Sequence, residues 1–563
     1  MKRRAPRFTA LLIGRLVAGV AIGLAATSVT AATLVHNVSG YTMDGPELVT
    51  FSALEFDDGK VTRLYSAESD AQQSTATQRI DGKGMTLLPG LIDAHGHVSS
   101  HGRALASVDL VGVDSESAAV ARVLDFISAE SIKNTWVQGR GWNQVLWPSK
   151  EFPSRQSLDA VSGDAAVVLG RVDGHAVWVN TRALALAGIT DDTPDPAGGQ
   201  IIRDEQGKAT GVLIDNAMTM VFSVMPVDSD EQIADYQARA LHDLAANGLT
   251  SVHDAGITAQ EVRGFRSLLK AHEMAVRVYA MLDVLDPAND ADLEAGPSQD
   301  DAQLLVVRSV KISADGALGS RGAALFEDYS DKPGHRGLLL LTDEELKHHM
   351  GRAVAAGYQV NTHAIGDLAN DRVLVNYEML NKEGASRALR HRVEHAQILR
   401  PQDVSRFAAA GIVASIQPTH ATSDKNMAGD RLGEERLKAA YAWSTLLDSG
   451  AQLAGGSDFP VESVNPFYGL HAAVTRQSHD NEPEGGWFPG QKLSREASLS
   501  LFTQDAAFAA HQEKEIGRLL PGYYADFILV SDNYFDQPEN AIWKNRVEAT
   551  YVAGSRVYSA EQD

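Results

Sequence analysis

Eight short apolar segments run through the middle of the chain with helical stretches between most of them, and this alternation constrains the fold more than any other feature. In order they read TLLPGLIDAHGH, GLTSVHDAG, AVRVYAML, RSVKISADG, YQVNTHAIGD, HRVEHAQI, GIVASIQPTH and AQLAGGSDFP. The intervening stretches include TDEELKHHMGRAVAAG and PQDVSRFAAAG. Strands alternating with helices argue for a parallel α/β architecture, and eight of them fit a (β/α)8 barrel, the TIM barrel. The first interval is anomalous. Segment one ends near His97 and segment two begins near Gly248, so a large insertion, at about residues 105–240, follows barrel strand one.

Both ends of the chain read differently. From Ala32 to Met85 the pattern is short and β-like, with Asp-Gly and Ser-Gly turn signals, and the C-terminal stretch from about residue 514 to 563 matches it. Two β-rich ends flanking a barrel over 86–513 are expected to meet in one small β-sandwich made of 32–85 and 514–563. At 563 residues, one large domain with a satellite is the expected layout.

Residues 1–31 read as a secretory signal peptide. Lys2, Arg3, Arg4 and Arg7 form a positive leader, Leu16–Ala26 an apolar core, and Val29-Thr30-Ala31 a small-residue cleavage site. The apolar run is too short to span a bilayer comfortably, and Arg15 interrupts it upstream. The expected location is therefore the bacterial periplasm or the medium, with no membrane attachment after cleavage. The chain contains no cysteine, which excludes disulfides, thiolate metal sites and a cysteine nucleophile. A net charge of -23 argues against nucleic acid or an anionic membrane surface as partner.

The chemistry lies where the strands end. Segment one finishes with His95 and His97, segment four carries Lys311, segments five and six bring His363 and His395, and segment eight brings Asp458. In a (β/α)8 barrel those ends converge on one mouth, where such enzymes place their catalytic groups. Side chains at i and i+2 of a strand point the same way, so His95 and His97 can reach one ion across Gly96. Neutral imidazole is the usual protein ligand for zinc and related metals. Alone, such a pair also fits polar residues at the end of a buried strand; the other strand ends favour the metal.

Lys311 is the odd member, because an ammonium repels cations. Burial and nearby positive charge lower a lysine's pKa, and a neutral amine can add carbon dioxide to become a bridging carbamate. Asp458 reads either as a helix N-cap or as a carboxylate that takes a proton from water and returns it to a leaving group. A divalent metal would bring that water's pKa towards about 7 and polarise a carbonyl.

PGLIDAHGHV, HAIGD, EHAQ and GGSDFPVE, in that order, resemble the metal-dependent amidohydrolases. GWNQVLW, DGHAVWVNTRAL, GLTSVHDAG and KISADGALGSRGAAL narrow the resemblance to the branch of YtcJ-like proteins and N-substituted formamide deformylases, from about Thr33 to Tyr558. The resemblance implies a barrel with a β-sandwich and hydrolysis of a C–N bond in a small, amide-like, non-peptide substrate. It implies His95, His97, His363 and His395 as ligands of one or two divalent ions, zinc foremost, with Asp458 as ligand and base. It also places Lys311 where related enzymes carry a carbamylated lysine, and makes Asp458, Lys311 and His363 the catalytic group.

Further candidates are substrate contacts from His175, Arg321 and Trp142, and hydrogen bonds from His253 and Asp254 to the ligands. Asp315 and Ser320 lie in the glycine-rich loop with Arg321, and Trp147 and Trp487 offer further apolar wall. A homodimer is the default assembly for a soluble oligomer. The same site would also serve an esterase or lactonase, and a non-catalytic metal-binding scaffold is the remaining reading.

Overall fold

A computed structural model describes residues 32–129, 136–171, 176–196, 199–384 and 386–561. The signal peptide read over 1–31 and the candidate His175 lie outside the described residues. Eight parallel strands form the centre: β1 (Leu91–Gly96), β2 (Leu249–Ile257), β3 (Arg277–Asp283), β4 (Leu305–Ser313), β5 (Gln359–Ala364), β6 (Arg392–His395), β7 (Val413–Ile416) and β8 (Gln452–Gly455). Each pairs with the next in sequence, and the ring closes where Phe459, just past β8, bridges Gly96 of β1 in parallel. The strands do not alternate in burial; all of β1, β6 and β7 is buried. That follows from having side chains inside the barrel and helices outside it. Capping boxes start three of the outer helices, at Ser229/Gln232, Thr258/Glu261 and Thr342/Glu345.

The segment TLLPGLIDAHGH forms two strands. Thr86–Pro89 belongs to the small domain, pairing parallel with Ser39–Asp44 and antiparallel with Phe527–Val530. The chain crosses into β1 at Gly90, whose N–H donates to the Asp526 carbonyl at 2.8 Å. A Cβ at Gly90 would lie 2.2 Å from the Thr250 hydroxyl oxygen, so only glycine passes there. The small domain therefore runs through Pro89, past the boundary at residue 85 that the sequence pattern suggests.

Both chain ends build this domain. One sheet has four strands from the N-terminal end, and the other has six, drawn from both ends. Val35, Leu54, Leu87, Phe527 and Tyr551 fill the space between, with the Phe527 and Tyr551 rings stacked at 4.3 Å. The insertion after β1 is a separate lobe around a six-stranded sheet between Val108 and Asp215. It ends sooner than residue 240, because helix Asp230–Ala246 turns Ala240, Leu241 and Leu244 inward against the barrel.

Arg277, at the start of β3, fastens the barrel to the small domain. Its Nε donates to Asp526 Oδ2 at 2.7 Å and its Nη2 to Oδ1 at 3.1 Å, with both residues buried. Asp526 also accepts the Ala553 N–H at 2.7 Å, within the small domain. Removing one member of a buried pair leaves the other charge uncompensated, at a cost of about 3–5 kcal/mol. Asp526→Ala is expected to lower the urea midpoint of unfolding accordingly; an unchanged midpoint would show that the junction holds without the pair.

Candidate metal centre

A layer of buried polar groups crosses the barrel beneath its mouth. Arg392 of β6 is fully buried, and its Nη2 donates to the Ala94 carbonyl of β1 at 2.6 Å and to Ser415 Oγ of β7 at 2.9 Å. Its Nη1 meets His253 Nδ1 of β2 at 2.9 Å, and its Nε lies 2.7 Å from Glu394 Oε1. Burial alone would raise the Glu394 pKa, but Arg392, His95 and Lys311 together hold this carboxyl well below the usual range. Glu394 is therefore an anion, and it accepts a hydrogen bond from His95 Nδ1 at 2.5 Å. With Nδ1 carrying the proton, His95 presents a bare Nε2 to the mouth. Burial also pushes the His95 pKa down to about 4, keeping the ring neutral.

The eighth strand end is tied to the first. Asp93 Oδ2 accepts from Ser457 Oγ at 2.6 Å, and its Oδ1 accepts the Ser457 and His95 N–H groups at 3.0 Å each. Burial raises the Asp93 pKa to about 6 against those hydrogen bonds. The Gly-Gly-Ser-Asp turn needs its second glycine, since a Cβ at Gly456 would fall 2.5 Å from the His95 nitrogen. Asp458 itself has a left-handed backbone, φ 65°, and donates its N–H to the His95 carbonyl at 2.7 Å. A non-glycine residue in that conformation costs of order 1–3 kcal/mol and persists only where its surroundings hold it.

Asp458 is the hub of two ligand groups. Its Oδ1 lies 3.2 Å from His97 Nε2 and 3.7 Å from His95 Nε2, while its Oδ2 lies 3.7 Å from His420 Nε2. Within each group, His95–His97–Asp458 and His395–His420–Asp458, the ligand atoms all fall within 4.8 Å of one another. His395, also left-handed at φ 76°, donates its Nδ1–H to Gln417 Oε1 at 2.8 Å, which leaves Nε2 for the mouth. Its ring stacks on that of His420 at 5.9 Å and 14°. Burial would raise the Asp458 pKa, yet the surrounding imidazoles, His97 first, hold it well below the usual carboxylate value. Imidazole nitrogens converging on an anionic carboxylate are a donor set that fits a divalent metal ion.

The remaining candidates are placed unequally. Lys311 is buried beside the first group, with Nζ 3.1 Å from His95 Nε2, and burial lowers its pKa. The His363 ring lies 4.5 Å from that of His395, but its Nε2 is 3.5 Å from Asp315 Oδ1 and has no hydrogen bond. Asp315 accepts the backbone N–H groups of Ile365, Gly366 and Ala324, so it clamps the loops around β4 and β5. Asp254 accepts the Val98 N–H at 3.0 Å, at the start of the helix that follows His97. Arg321 is committed to Asp331, at 2.8 and 3.1 Å.

Trp142 is not placed at the mouth. It is fully buried in the lobe, ringed by Trp147, Phe152 and Trp178, and its indole N–H donates to the Leu169 carbonyl at 2.7 Å. Its large apolar surface is used for packing, as Trp147 is too. His420, Glu394, Arg392 and Asp93 are the polar residues of the centre that strand-end reasoning passed over. The signal for His420 was available: GIVASIQPTH ends in a histidine, as segments five and six do within a few residues.

The chain matches the profile of a family described as the Amidohydrolase family over residues 78–558. It is 33% identical to Protein LONG AFTER FAR-RED 3 of Arabidopsis thaliana, covering 94% of this chain and 92% of the relative. The putative amidohydrolase YtcJ of Bacillus subtilis is 30% identical, over 90% of this chain and 96% of its own. The N-substituted formamide deformylase of Arthrobacter pascens is 28% identical, over 87% and 92%. Among solved structures, an uncharacterized metal-dependent hydrolase from Pyrococcus furiosus superposes with a TM-score of 0.74 at 26% identity, over 90% of this chain and 100% of that one.

The Glu394 carboxylate sets the orientation of His95, and partners of that kind are worth about 10–100-fold in metal affinity. Glu394→Gln is expected to weaken binding of a divalent ion within that range in a metal titration; wild-type affinity would show that His95 is oriented without it.

Proposed function

This chain belongs to the amidohydrolase family, and from that premise we propose that it hydrolyses the C–N bond of a small, non-peptide amide in a zinc-dependent reaction, with Asp458 as general base and acid. The family and its metal-dependent structural relative support a hydrolase role and a divalent metal. The observation that carries the finer reading is the convergence of His95, His97, His395 and His420 on the two oxygens of Asp458. His420 Nε2 and His363 Nε2 are buried without a hydrogen-bond partner, as expected of nitrogens kept for a ligand. These residues fit a divalent ion, which supplies Lewis acidity: it polarises a carbonyl and brings the pKa of water towards about 7.

The chain's own groups divide the remaining work. Glu394 and Gln417 fix the rings of His95 and His395, so that neutral nitrogens face the mouth. Asp458 is ionised by its surroundings, so it is ready to accept a proton from water and to deliver it to the departing nitrogen. His363 and Lys311 border the same space, His363 on the side of His395 and Lys311 on the side of His95. The deformylase among the relatives supports an amide carbonyl as the reacting group.

The test is turnover of N-substituted formamides, N-acyl amino acids and cyclic amides against matched esters and lactones. Amide turnover is expected to vanish on chelation and return with zinc. Asp458→Asn, assayed at saturating metal, is expected to lose about 10²–10⁴-fold in kcat, the usual contribution of a positioned general base. An active Asp458→Asn variant would overturn the role of Asp458, and turnover confined to esters or lactones would overturn the C–N assignment.

A further inference from the structure

The first helix after β1 and the lobe that follows it face each other across a cleft of about 420 Å³, within the usual range of small-molecule sites. In this helix, Val98–Leu105, the buried residues are Val98, Ser99 and Gly102, and Gly102 packs directly against the Tyr236 carbonyl. The face turned to the cleft carries Ser100, Ala104 and then Ser107, small residues at i, i+4 and i+7 that leave room in front of them. The opposite wall is apolar: Val177 of the lobe sheet, with Met218 and Phe222 one turn apart on helix Met218–Phe222. Phe222 is 47% exposed, an aromatic ring left half in water on the wall of a cleft. We propose that this cleft is the subsite for an uncharged apolar group of the amide substrate, an alkyl chain or an aryl ring, with Met218 and Phe222 setting the preference for it.

The proposal rests on the amide-hydrolase reading and names a substrate class for it. Position is the first support. The helix begins at the residue after His97, with the Val98 N–H held by Asp254 at 3.0 Å, and Pro460 at the edge of the cleft lies two residues past Asp458. The segments that carry His97 and Asp458 therefore both border the cleft. Chemistry is the second support. Three arginines line the cleft, which would suggest an anionic ligand, but their guanidinium groups are committed. Arg103 gives Nε and Nη2 to Asp228 Oδ2 at 3.2 and 2.7 Å and lies over the Tyr236 ring at 5.5 Å. Arg171 gives Nε to Gln144 Oε1 at 2.8 Å and Nη2 to Asn143 Oδ1 at 3.2 Å, both within the lobe. Arg140 is engaged by a partner as well. What Arg103 and Arg171 leave for the cleft is the hydrocarbon of their stems. Among the described residues, no Asp, Glu, Lys or His lines it. Covering the half-exposed Phe222 ring removes apolar surface from water, and the flexible Met218 and Met225 side chains adapt to groups of different shape.

The test is kcat/KM of the metal-loaded chain for two homologous series, N-alkylformamides and N-methyl alkanamides, with alkyl chains lengthened one methylene at a time. At least one series is expected to rise about fourfold per methylene, the value of burying one such group. The series that rises shows whether the nitrogen or the carbonyl carries the apolar group. Phe222→Ala and Met218→Ala are expected to flatten the rise, and Phe222→Leu, which keeps apolar surface, to retain most of it. The slope is a ratio within one variant, so it does not depend on how much of that variant is active. A slope that is flat in the wild type, that survives both alanine variants, or that appears only for chains ending in a carboxylate would overturn the subsite and leave the hydrolase reading intact. A second measurement does not need turnover. The chain has no cysteine, so Ser100→Cys places a single thiol on the helix wall of the cleft. 1-Hexanol is expected to slow its alkylation by iodoacetamide several-fold, and alkylation at an unchanged rate would overturn the subsite. Protection of the thiol with no turnover of any amide would keep the apolar cleft and overturn the function proposed above.

Discussion

The centre depends on a guanidinium in the barrel interior. Arg392 has no access to water, and an unpaired charge there would be prohibitive. Its donors are instead shared among strands β1, β2, β6 and β7, through Ala94, His253, Glu394 and Ser415. A planar fork of five N–H donors is suited to that task in a way an ammonium is not. The arrangement does more than neutralise Glu394. It holds the carboxylate as an anion directly beneath His95, and so decides which imidazole nitrogen carries the proton and which is free to bind. Buried ion pairs seldom add much net stability, but this one specifies a tautomer.

The same economy appears at the barrel's seam. Parallel barrels must close their last strand on their first, and here Asp93 on β1 holds Ser457 beyond β8. Phe459 bridges Gly96, and the Phe459 ring occupies the space that a Cβ at Gly96 would need. Closure thus places His95, His97 and Asp458 together, with the strained backbone at Asp458 held from both sides. Because the groups that hold a metal meet only in the closed barrel, ion binding adds to the stability of the folded state.

The strands, their order and the polar residue at each strand end were legible because apolar runs and helix signals are local. Orientation was less so. Simple alternation puts Arg392 and Glu394 on one face of β6 and His395 on the other, yet all three serve the interior. The left-handed backbone at His395 breaks the alternation, and nothing in EHAQ announces it. His420 was passed over although GIVASIQPTH ends in it; it lies past the strand, on the first turn of the helix that Pro418 starts. Arg321 looks available to an anion until Asp331 folds back on it from ten residues away. Trp142 illustrates the opposite error: an aromatic residue near a proposed pocket packs into its own lobe. The break at Gly90 within an unbroken apolar run was invisible for a similar reason, since hydrophobicity continues while the strand changes domain.

The position of the insertion also has a consequence. His97 is the residue just before helix Val98–Leu105, and the lobe begins where that helix ends. A cleft of about 420 Å³ separates the lobe sheet from this helix, with Ser100 and Arg103 on one wall, Val177, Met218 and Phe222 on the other, and Pro460 at its edge. Pro460 follows Asp458 by two residues, so the cleft borders the carboxylate's own turn. Among the described residues, the candidate ligands gathered around Asp458 come from the end of β1, β6, the end of β7 and the turn after β8. A family built in this way can change the lobe, and with it the wall nearest the reacting centre, while the metal ligands and the Arg392–Glu394 floor stay as they are. That separation is the general advantage of placing chemistry on strand ends and selectivity on the connections between them.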